Sequence, residues 1–223
     1  LFSTRGVSLY MGLLALFQIL LSRFSGQSDF ATISPTANRN TPQVEPLIGF
    51  FVNNLVVRAD LSGNPTVTEL LQRVQSRVFD AFSHQDFPFQ RLVEELVTER
   101  DPSRPPLAQV AFALQNASMG EARTIADLDI GIEGSSDQTA KFDLTLDFVS
   151  DTPELAGYLE YNTDLFSEQT ALCMADCLTL LAEQAVEATD IPVGALDILS
   201  SAHRAQLTQW NETAVTLPES ADV

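Results

Sequence analysis

Histidine and cysteine, the side chains most often used for nucleophilic, acid–base and zinc chemistry, are scarce in this sequence. Its 223 residues include two histidines, His84 and His203, and two cysteines, Cys173 and Cys177. No cysteine–histidine cluster has the ligand spacing of a zinc site, so the sequence predicts no bound metal. The two cysteines are four residues apart within a predicted helix, which favours two small buried side chains over a disulfide framework.

Other signatures of catalysis are absent as well. The ten glycines are scattered and form no phosphate-binding loop. No G-x-S-x-G nucleophile turn occurs. A Ser/His/Asp triad stays open at this point because such triads assemble in space, although nothing in the sequence supports one.

No hydrophobic run is long enough to cross a membrane. The most apolar stretch, residues 9–21, has 13 residues, too few to span a bilayer. It has neither a basic start nor a small-residue cleavage site, so no signal peptide is indicated. Together with the unpaired cysteines this predicts a cytoplasmic protein without a membrane partner. Because the sequence opens on Leu1 rather than Met, we expect a fragment, a processed product or an excised piece.

Basic residues are few. The protein has 12 Lys and Arg against 30 Asp and Glu, a net charge of −18. This argues against nucleic acid as a partner, since phosphate-backbone binding needs clustered Lys and Arg. Residues 121–190 hold 16 acids and two bases, which predicts a solvated acidic surface, with docking of a basic patch as the alternative.

The apolar fraction of 45% is enough for a globular core. Hydrophobic periodicity and capping residues predict helices over 7–24, 66–83, 90–99, 167–188 and 200–209. They predict strands over 30–34, 47–58, 107–115, 142–148 and 155–161, the last two forming a hairpin, and a short strand near 128–132. Interleaved helices and strands predict an α/β fold, a two-layer sandwich with a mixed sheet.

The clearest alternation lies in the strand over 142–148. It predicts one buried face and one solvated face, made respectively by Phe142, Leu144, Leu146 and Phe148 and by Asp143, Thr145 and Asp147.

One polar cluster lies between two predicted helices. His84, Gln85 and Asp86 precede Pro88, which suits the start of the next helix. We expect these side chains to cap helix ends and tie down the loop, with Asp86 accepting N–H groups of the following helix. The alternative is a general base, which needs a substrate proton within reach.

Asn53 and Asn54 interrupt an apolar strand. They mark either a bulge or strand end, or amides that hold a substrate in a channel. Arg58 follows on that strand and either pairs with a carboxylate or faces solvent. Arg104 is placed to anchor the proline-rich loop over 100–106 to an acid.

Three ordered segments together resemble the condensation domain of nonribosomal peptide synthetases. They are IGFFVNNLVVR over 48–58, HQDFPFQRLVEEL over 84–96 and RDPSRPPLAQV over 100–110. Shorter pieces agree with the resemblance, namely 37–39, 141–146, 159–166 and 206–213. The resemblance spans nearly the whole chain.

The resemblance covers only the C-terminal half, or second lobe, of that domain. The family's HHxxxDG motif, whose second histidine is thought to assist attack of an amine on a thioester, is absent here. The resemblance implies a lobe with the chloramphenicol-acetyltransferase-like fold over residues 1–199. It further implies that residues 200–223 are a short helix and the start of a linker toward an adenylation domain.

Roles carried over from the family are modest. No residue of this chain is assigned as catalytic. Asn53 and Arg58 match the motif near the substrate tunnel, while His84, Gln85, Asp86, Pro88, Phe89 and Arg104 match motifs interpreted as architectural. The sequence departs from the family pattern at Asn54, at Thr32 and Ile33, and at Ala108.

The resemblance also implies partners and chemistry. We expect no directly bound cofactor, with substrates arriving on the phosphopantetheine arms of donor and acceptor carrier proteins. The N-terminal lobe and a downstream adenylation domain are the other expected partners. The alternatives are a non-catalytic docking lobe for carrier or adenylation domains, half of an epimerisation or heterocyclisation domain, and, by fold analogy alone, a small-molecule acetyltransferase.

Overall fold

A computed structural model of the protein describes residues 6–99, 101–115, 123–125, 128–130, 139–149, 155–187 and 189–214. The helices are α1 (Leu9–Ser25), α2 (Val67–Ser83), α3 (Phe89–Leu96), α4 (Glu168–Glu187) and α5 (Ser201–Asn211), with a 3₁₀ turn at Val193–Ala195. The strands are β1 (Asp29–Thr36), β2 (Asn53–Asp60), β3 (Val110–Gln115), β4 (Arg123–Ile125), β5 (Leu128–Ile130), β6 (Leu144–Val149) and β7 (Ala156–Tyr161).

Five strands form one mixed sheet in the order β2-β1-β3-β6-β7. The outer pairs β1–β2 and β6–β7 are antiparallel, whereas β3 is parallel to both β1 and β6. Strands β4 and β5 make a separate two-stranded ladder. The predicted α/β fold with a mixed sheet and a β6–β7 hairpin is confirmed.

Helices α1, α2 and α4 cover one face of the sheet. Their buried side chains form a single apolar cluster with inward residues of the strands, among them Val57, Phe112 and Leu146. Successive side chains of a strand point to opposite faces of the sheet. On the face away from these helices, Ile33 and Ala111 of the strands form a second, small cluster with Ala108. The helix layer and the sheet give the two layers of the predicted sandwich.

Helix α1 is the most deeply placed element. It is buried from Met11 to Leu20, and Gln18 within it is completely buried. The Ser8 side chain accepts a hydrogen bond from the Met11 N–H, and Gly26 ends the helix with a positive φ of 72°. Both residues suit their positions, because serine is a favoured N-cap and a left-handed C-terminal residue is least costly as glycine.

The two cysteines lie in α4. Cys177 is buried, as the sequence predicts, whereas Cys173 is only half-buried. Burial, together with the nearby Cys173, raises the pKa of the Cys177 thiol to about 12. No helix in the described ranges is both long and apolar enough to pass through a lipid bilayer.

The strand predicted over 47–58 is wrong in its first half. Strand β2 begins at Asn53, because its partner β1 ends at Thr36, the residue paired with Asn53. Upstream of this point the backbone carbonyls turn to Arg39. The Arg39 guanidinium donates to the carbonyl oxygens of Val44 (2.5 Å), Glu45 (3.1 Å) and Leu47 (2.8 Å).

Two further boundaries differ from prediction. Helix α3 ends at Leu96 rather than at residue 99, because Val97 adopts extended backbone. Leu96 is 64% exposed, and Val93 is the buried residue of this helix. Strand β3 begins at Val110 instead of residue 107. The described residues do not include 150–154, which join the two strands of the predicted hairpin, most of 117–140, residue 188 of the predicted helix over 167–188, or the tail beyond 214.

Asp147 on β6 is not fully solvated, contrary to the alternation argument. It is half-buried, and its cross-strand partner is Tyr158 of β7. Desolvation, assisted by the negative charge of Glu160, raises the pKa of the Asp147 carboxyl above its usual value. An ionised carboxylate is therefore held at this position at a cost to folding.

We expect Asp147→Asn to raise stability at neutral pH. With a folded-state pKa above the unfolded value of about 3.9, the wild-type penalty is absent at lower pH and grows as pH rises through the folded pKa. Urea unfolding between pH 4 and 8 measures the difference. Asp164→Asn, at an exposed position, controls for the loss of one negative charge. A gap between Asp147→Asn and wild type that does not change with pH would contradict this account.

Candidate functional site

The side chain of Asn53 joins two of the motifs singled out in the sequence. Its Nδ2 donates to the carbonyl oxygens of Gln85 and Phe87, both at 2.8 Å. Its Oδ1 accepts from the N–H of Phe89 at 3.1 Å. One amide at the first residue of β2 thereby fixes the loop between α2 and α3.

This loop carries the backbone from the helix layer to the opposite face of the sheet. Helix α2 packs in the main cluster, whereas Phe89 at the start of α3 packs against the Ile33, Ala108 and Ala111 cluster. Thr36 of β1 adds a further tie by donating to Gln85 Oε1 at 3.3 Å. Asn53 is thus the point that sets where α3 begins.

His84 lies at the C-terminal end of α2. Its Nδ1 is 2.8 Å from the Asp80 carbonyl oxygen, which only accepts, so this contact requires a proton on Nδ1. The Ser83 hydroxyl lies 2.9 Å from the same nitrogen. The described contacts of His84 are therefore those of a helix cap.

Asp86 does not cap the following helix, contrary to expectation. Its Oδ1 accepts from Asn40 Nδ2 at 2.9 Å, and the residue in the N-cap position of α3 is Pro88, which has no side-chain acceptor. The acceptor for the first helical N–H is Asn53 instead. The reason is geometric: β2 presents its terminal amide directly to Phe89.

An open groove of about 930 Å³ lies between α3 and the proline-rich loop. It brings the second and third motifs together, since Phe89 and Val93 line one side and Arg104, Pro105 and Leu107 the other. The carboxylates of Glu94, Glu99 and Asp101 are also among its lining residues. His84 is not.

Leu107, at the edge of this groove, has an unusual backbone. Its φ is +68°, and the N–H of Ala108 donates to the Pro106 carbonyl oxygen at 2.9 Å. An i to i+2 hydrogen bond around a positive φ is the pattern of the rare γ-turn, which costs about 1–3 kcal/mol at a non-glycine residue. Backbone strain of this kind is concentrated at functional sites. Here the turn at Leu107 redirects the backbone from the proline-rich loop towards β3.

The two arginines make exposed ion pairs. Arg58 forms a two-pronged contact with Asp29, at 2.7 and 2.5 Å. That contact lowers the pKa of Asp29 from its ordinary value. Arg104 Nε lies 3.8 Å from Asp101 Oδ2, within the proline-rich loop. Exposed pairs of this kind contribute little to stability, so they serve mainly to orient side chains.

The geometry suits positioning better than covalent chemistry. No serine, cysteine, histidine or lysine is among the groove-lining residues that the structure describes. The groove combines apolar side chains with a few polar ones, among them Gln90, Arg104 and Gln109, a combination typical of binding sites.

Sequence reasoning missed the part played by Arg39. Besides the carbonyl contacts already described and a further one to Gly49 at 3.5 Å, its guanidinium carbon lies 4.3 Å from the centre of the Phe51 ring. The segment thus organised, residues 47–52, exposes Leu47, Ile48, Phe50 and Val52. The available signal was Arg39 in a loop rich in proline and asparagine, which predicts unpaired carbonyls in need of a donor.

Comparison with known proteins identifies the family. A model of the condensation domain matches residues 1–208. The chain belongs to the condensation-domain family. The curated relatives include one of the linear gramicidin synthase proteins of Brevibacillus parabrevis, 44% identical over 98% of this chain. Surfactin synthase subunit 1 of Bacillus subtilis is 38% identical over 96% of it. The protein spans only 4% and 6% of the lengths of these two relatives.

Solved structures agree with the fold. The X-domain from teicoplanin biosynthesis superposes with a TM-score of 0.81 at 28% identity, covering 88% of this chain and 45% of that one. A four-domain nonribosomal peptide synthetase gives a TM-score of 0.80 at 27% identity, covering 88% and 16%. The condensation-domain fold, which is chloramphenicol-acetyltransferase-like, is thereby confirmed.

We expect Asn53→Ala to destabilise the fold by about 1–3 kcal/mol, because it leaves three backbone groups of the loop unpaired. Asn53→Asp should be at least as harmful, since it places an oxygen opposite two carbonyls. Urea unfolding measures the decrease in the free energy of unfolding. Amide hydrogen exchange at Phe89 shows whether the change is at the start of α3. Asn54→Ala, on the neighbouring half-buried amide, is the matched control. Equal effects of Asn53→Ala and Asn54→Ala would refute a special role for Asn53.

Proposed function

We propose that this protein is the C-terminal lobe of a condensation domain that joins carrier-tethered aminoacyl or peptidyl thioesters in nonribosomal peptide synthesis. Residues 1–199 form the lobe, and residues 200–223 are a short helix and the start of a linker toward an adenylation domain. The observation that carries the proposal is one of length. The family model matches residues 1–208, and the structural match to the teicoplanin X-domain covers 88% of this chain but only 45% of that one.

The sequence supports this assignment through what it lacks. It contains no two adjacent histidines, and therefore no HHxxxDG motif. In the proposed reaction an acceptor amine attacks the donor thioester carbonyl, the C–N bond forms, the C–S bond breaks, and the thiol of the donor arm leaves. The histidine that assists this attack belongs, in our proposal, to the N-terminal lobe.

The contribution of this lobe is then positional. Thioester aminolysis is favourable, so most of the catalytic effect comes from holding two tethered substrates in reacting geometry. Asn53 and Arg58 are the residues we assign to support of the tunnel wall. We assign an architectural role, keeping the second and third motifs in place, to His84, Gln85, Asp86, Pro88, Phe89 and Arg104. No cofactor binds this lobe directly, and the phosphopantetheine arms belong to the carrier partners.

A lobe that works beside another lobe needs an apolar contact surface. The segment over 47–52 offers one: Ile48 is fully exposed and Phe50 is 91% exposed. Exposed apolar residues in a contiguous group usually mark an interaction site. In the proposed arrangement this segment faces the N-terminal lobe.

A second candidate is a non-catalytic docking lobe. One of the similar structures is described as a complex of the X-domain and OxyB from teicoplanin biosynthesis, with a TM-score of 0.81 and 28% identity. A protein of this fold therefore occurs in complex with another protein. By this alternative our protein binds carrier or adenylation domains without performing chemistry.

We expect the isolated protein to self-associate through residues 47–52. Ile48→Ser combined with Phe50→Ser should weaken the association at least about tenfold, because each exposed side chain gains more than about 1.4 kcal/mol when buried. Light scattering and sedimentation over a concentration series measure this. Phe79→Ser, at an exposed position on α2, is the control. A wild-type protein that stays monomeric at high concentration would contradict the proposed contact surface.

A dipeptide-formation assay tests the function. Aminoacyl-loaded donor and acceptor carrier proteins are mixed with this lobe alone and with the upstream half of the domain added. Intact mass of the acceptor carrier reports the product. We expect product only with the upstream half, and a rate roughly 10- to 100-fold lower for Asn53→Ala, because small misplacements are costly to positioned reactions.

The other outcomes of this assay are also informative. Product from the 223 residues alone would overturn the half-domain proposal and make His84 the candidate base, to be checked with His84→Gln. No product in either mixture, with carrier binding intact, would favour the docking lobe.

A further inference from the structure

Two thiols and an imidazole come together at the junction of α4 and α5. Cys173 and Cys177 lie one turn apart on α4, and His203 lies in the first turn of α5. One donor atom from each of the three residues lies within 4.8 Å of the others. Cys177 is buried, and the other two residues are half-buried.

The connection before α5 explains why these residues meet. The Gln184 side chain brackets Asp197, donating from Nε2 to its carbonyl oxygen at 2.5 Å and accepting from its N–H at 2.8 Å. The Cys177 thiol donates to the Ile198 carbonyl oxygen at 2.9 Å. Ser200 then caps α5 by accepting from the His203 N–H. These contacts hold residues 197–200 against α4 up to the first residue of α5. They thereby place the imidazole of His203 beside the two cysteines.

His203 is unusual within its helix. It is the one side chain of α5 that is not exposed. Its Nδ1 is buried and has no hydrogen-bond partner among the described residues. An unpaired buried polar atom costs about 1–3 kcal/mol, so a ligand that satisfies the ring would be favoured.

The donor set fits a borderline metal ion. Thiolate sulfur and imidazole nitrogen are the ligands that Zn²⁺ prefers, and a pair of ligands at i and i+4 on one helix is a recurrent arrangement for zinc. In a tetrahedral zinc site, bonds of about 2.3 Å to sulfur and about 2.0–2.1 Å to nitrogen place the donors about 3.6–3.8 Å apart. The observed donors, within 4.8 Å of one another, therefore need to approach by at most about 1.2 Å, which side-chain rotation supplies.

We propose that Cys173, Cys177 and His203 form a Zn²⁺ site that fastens α5 to α4. On binding, each thiol gives its proton to solvent as a sulfur–zinc bond forms, and Cys177 exchanges its contact with Ile198 for the metal. A water molecule or another donor completes the fourth position. The inference is independent of the proposed function, because it concerns the attachment of α5 rather than amide formation.

The sequence did not reveal this site because its third ligand is remote. The cysteines alone have no partner within zinc-motif spacing, and His203 reaches them only through the fixed turn around Asp197 and Ile198. The expectation of no metal, drawn from spacing, is the one this inference replaces.

Titration of the reduced 223-residue protein with Co²⁺ as a spectroscopic substitute tests the site. We expect one equivalent to give the intense visible bands of tetrahedral cobalt and a thiolate charge-transfer band, both lost on adding Zn²⁺. Cys173→Ser, Cys177→Ser and His203→Gln should each weaken binding at least about tenfold. His84→Gln, which removes the other histidine, is the matched control and should bind as wild type.

The single tryptophan, Trp210, lies on α5 and reports on the proposed fastening. Zn²⁺ should raise the fluorescence anisotropy of Trp210 and slow amide exchange in α5 for the wild type, but not for Cys173→Ser. That position is only half-buried, so the variant is expected to keep its fold, which circular dichroism checks. Absence of tetrahedral cobalt bands in a folded protein, or equal binding by Cys173→Ser, would overturn the site. Binding without a change at Trp210 would overturn the fastening.

Discussion

Burial of α1 is the constraint on which the other elements depend. Ten consecutive residues of this helix, Met11 to Leu20, are buried, so it must be surrounded on all sides rather than along one stripe. Helices α2 and α4 flank it and the sheet closes the third side. Because α1 also buries the amide of Gln18 without a partner in the described structure, apolar packing here outweighs a local polar cost.

A second level of organisation is polar and acts at points where the backbone changes layer. Asn53 holds the crossing from α2 to α3, and Arg39 gathers the carbonyls ahead of β2. The hydrogen bonds of these two side chains lie outside the ladders of the sheet. Each side chain hydrogen-bonds to backbone groups there, which holds a motif-bearing loop in one conformation.

The sequence allowed prediction of the elements and the family, but not the contacts between motifs. Helix caps at Ser8, Thr66, Ser167 and Ser200 are local, and hydrophobic spacing located most strands within a few residues. Asp86 was misassigned as a cap because the true acceptor, Asn53, is distant in sequence. The predicted strand over 47–58 is too long. Residues 47–52 have the β-branched and aromatic composition of a strand, and composition alone does not show whether such residues pair with another strand or stay exposed. The positive φ of Leu107 has no local signal in the sequence.

The topology of the sheet also sets an order for its assembly. Strand β3 occupies the centre, parallel to β1 on one side and to β6 on the other, and its pairings join residues as far apart as Ile33 and Ala111. During synthesis the β1–β2 pair and α2 emerge well before β3. Until β3 is made, the edge of β1 that pairs with β3 stays open. Parallel, non-local pairing is slow, and an open edge invites other strands. Rapid pairing of the central strand β3 therefore protects a protein with this topology from wrong pairing. Phe112 on β3 contacts the rings of Phe17 and Tyr10, which gives this late-synthesised strand aromatic packing partners on α1.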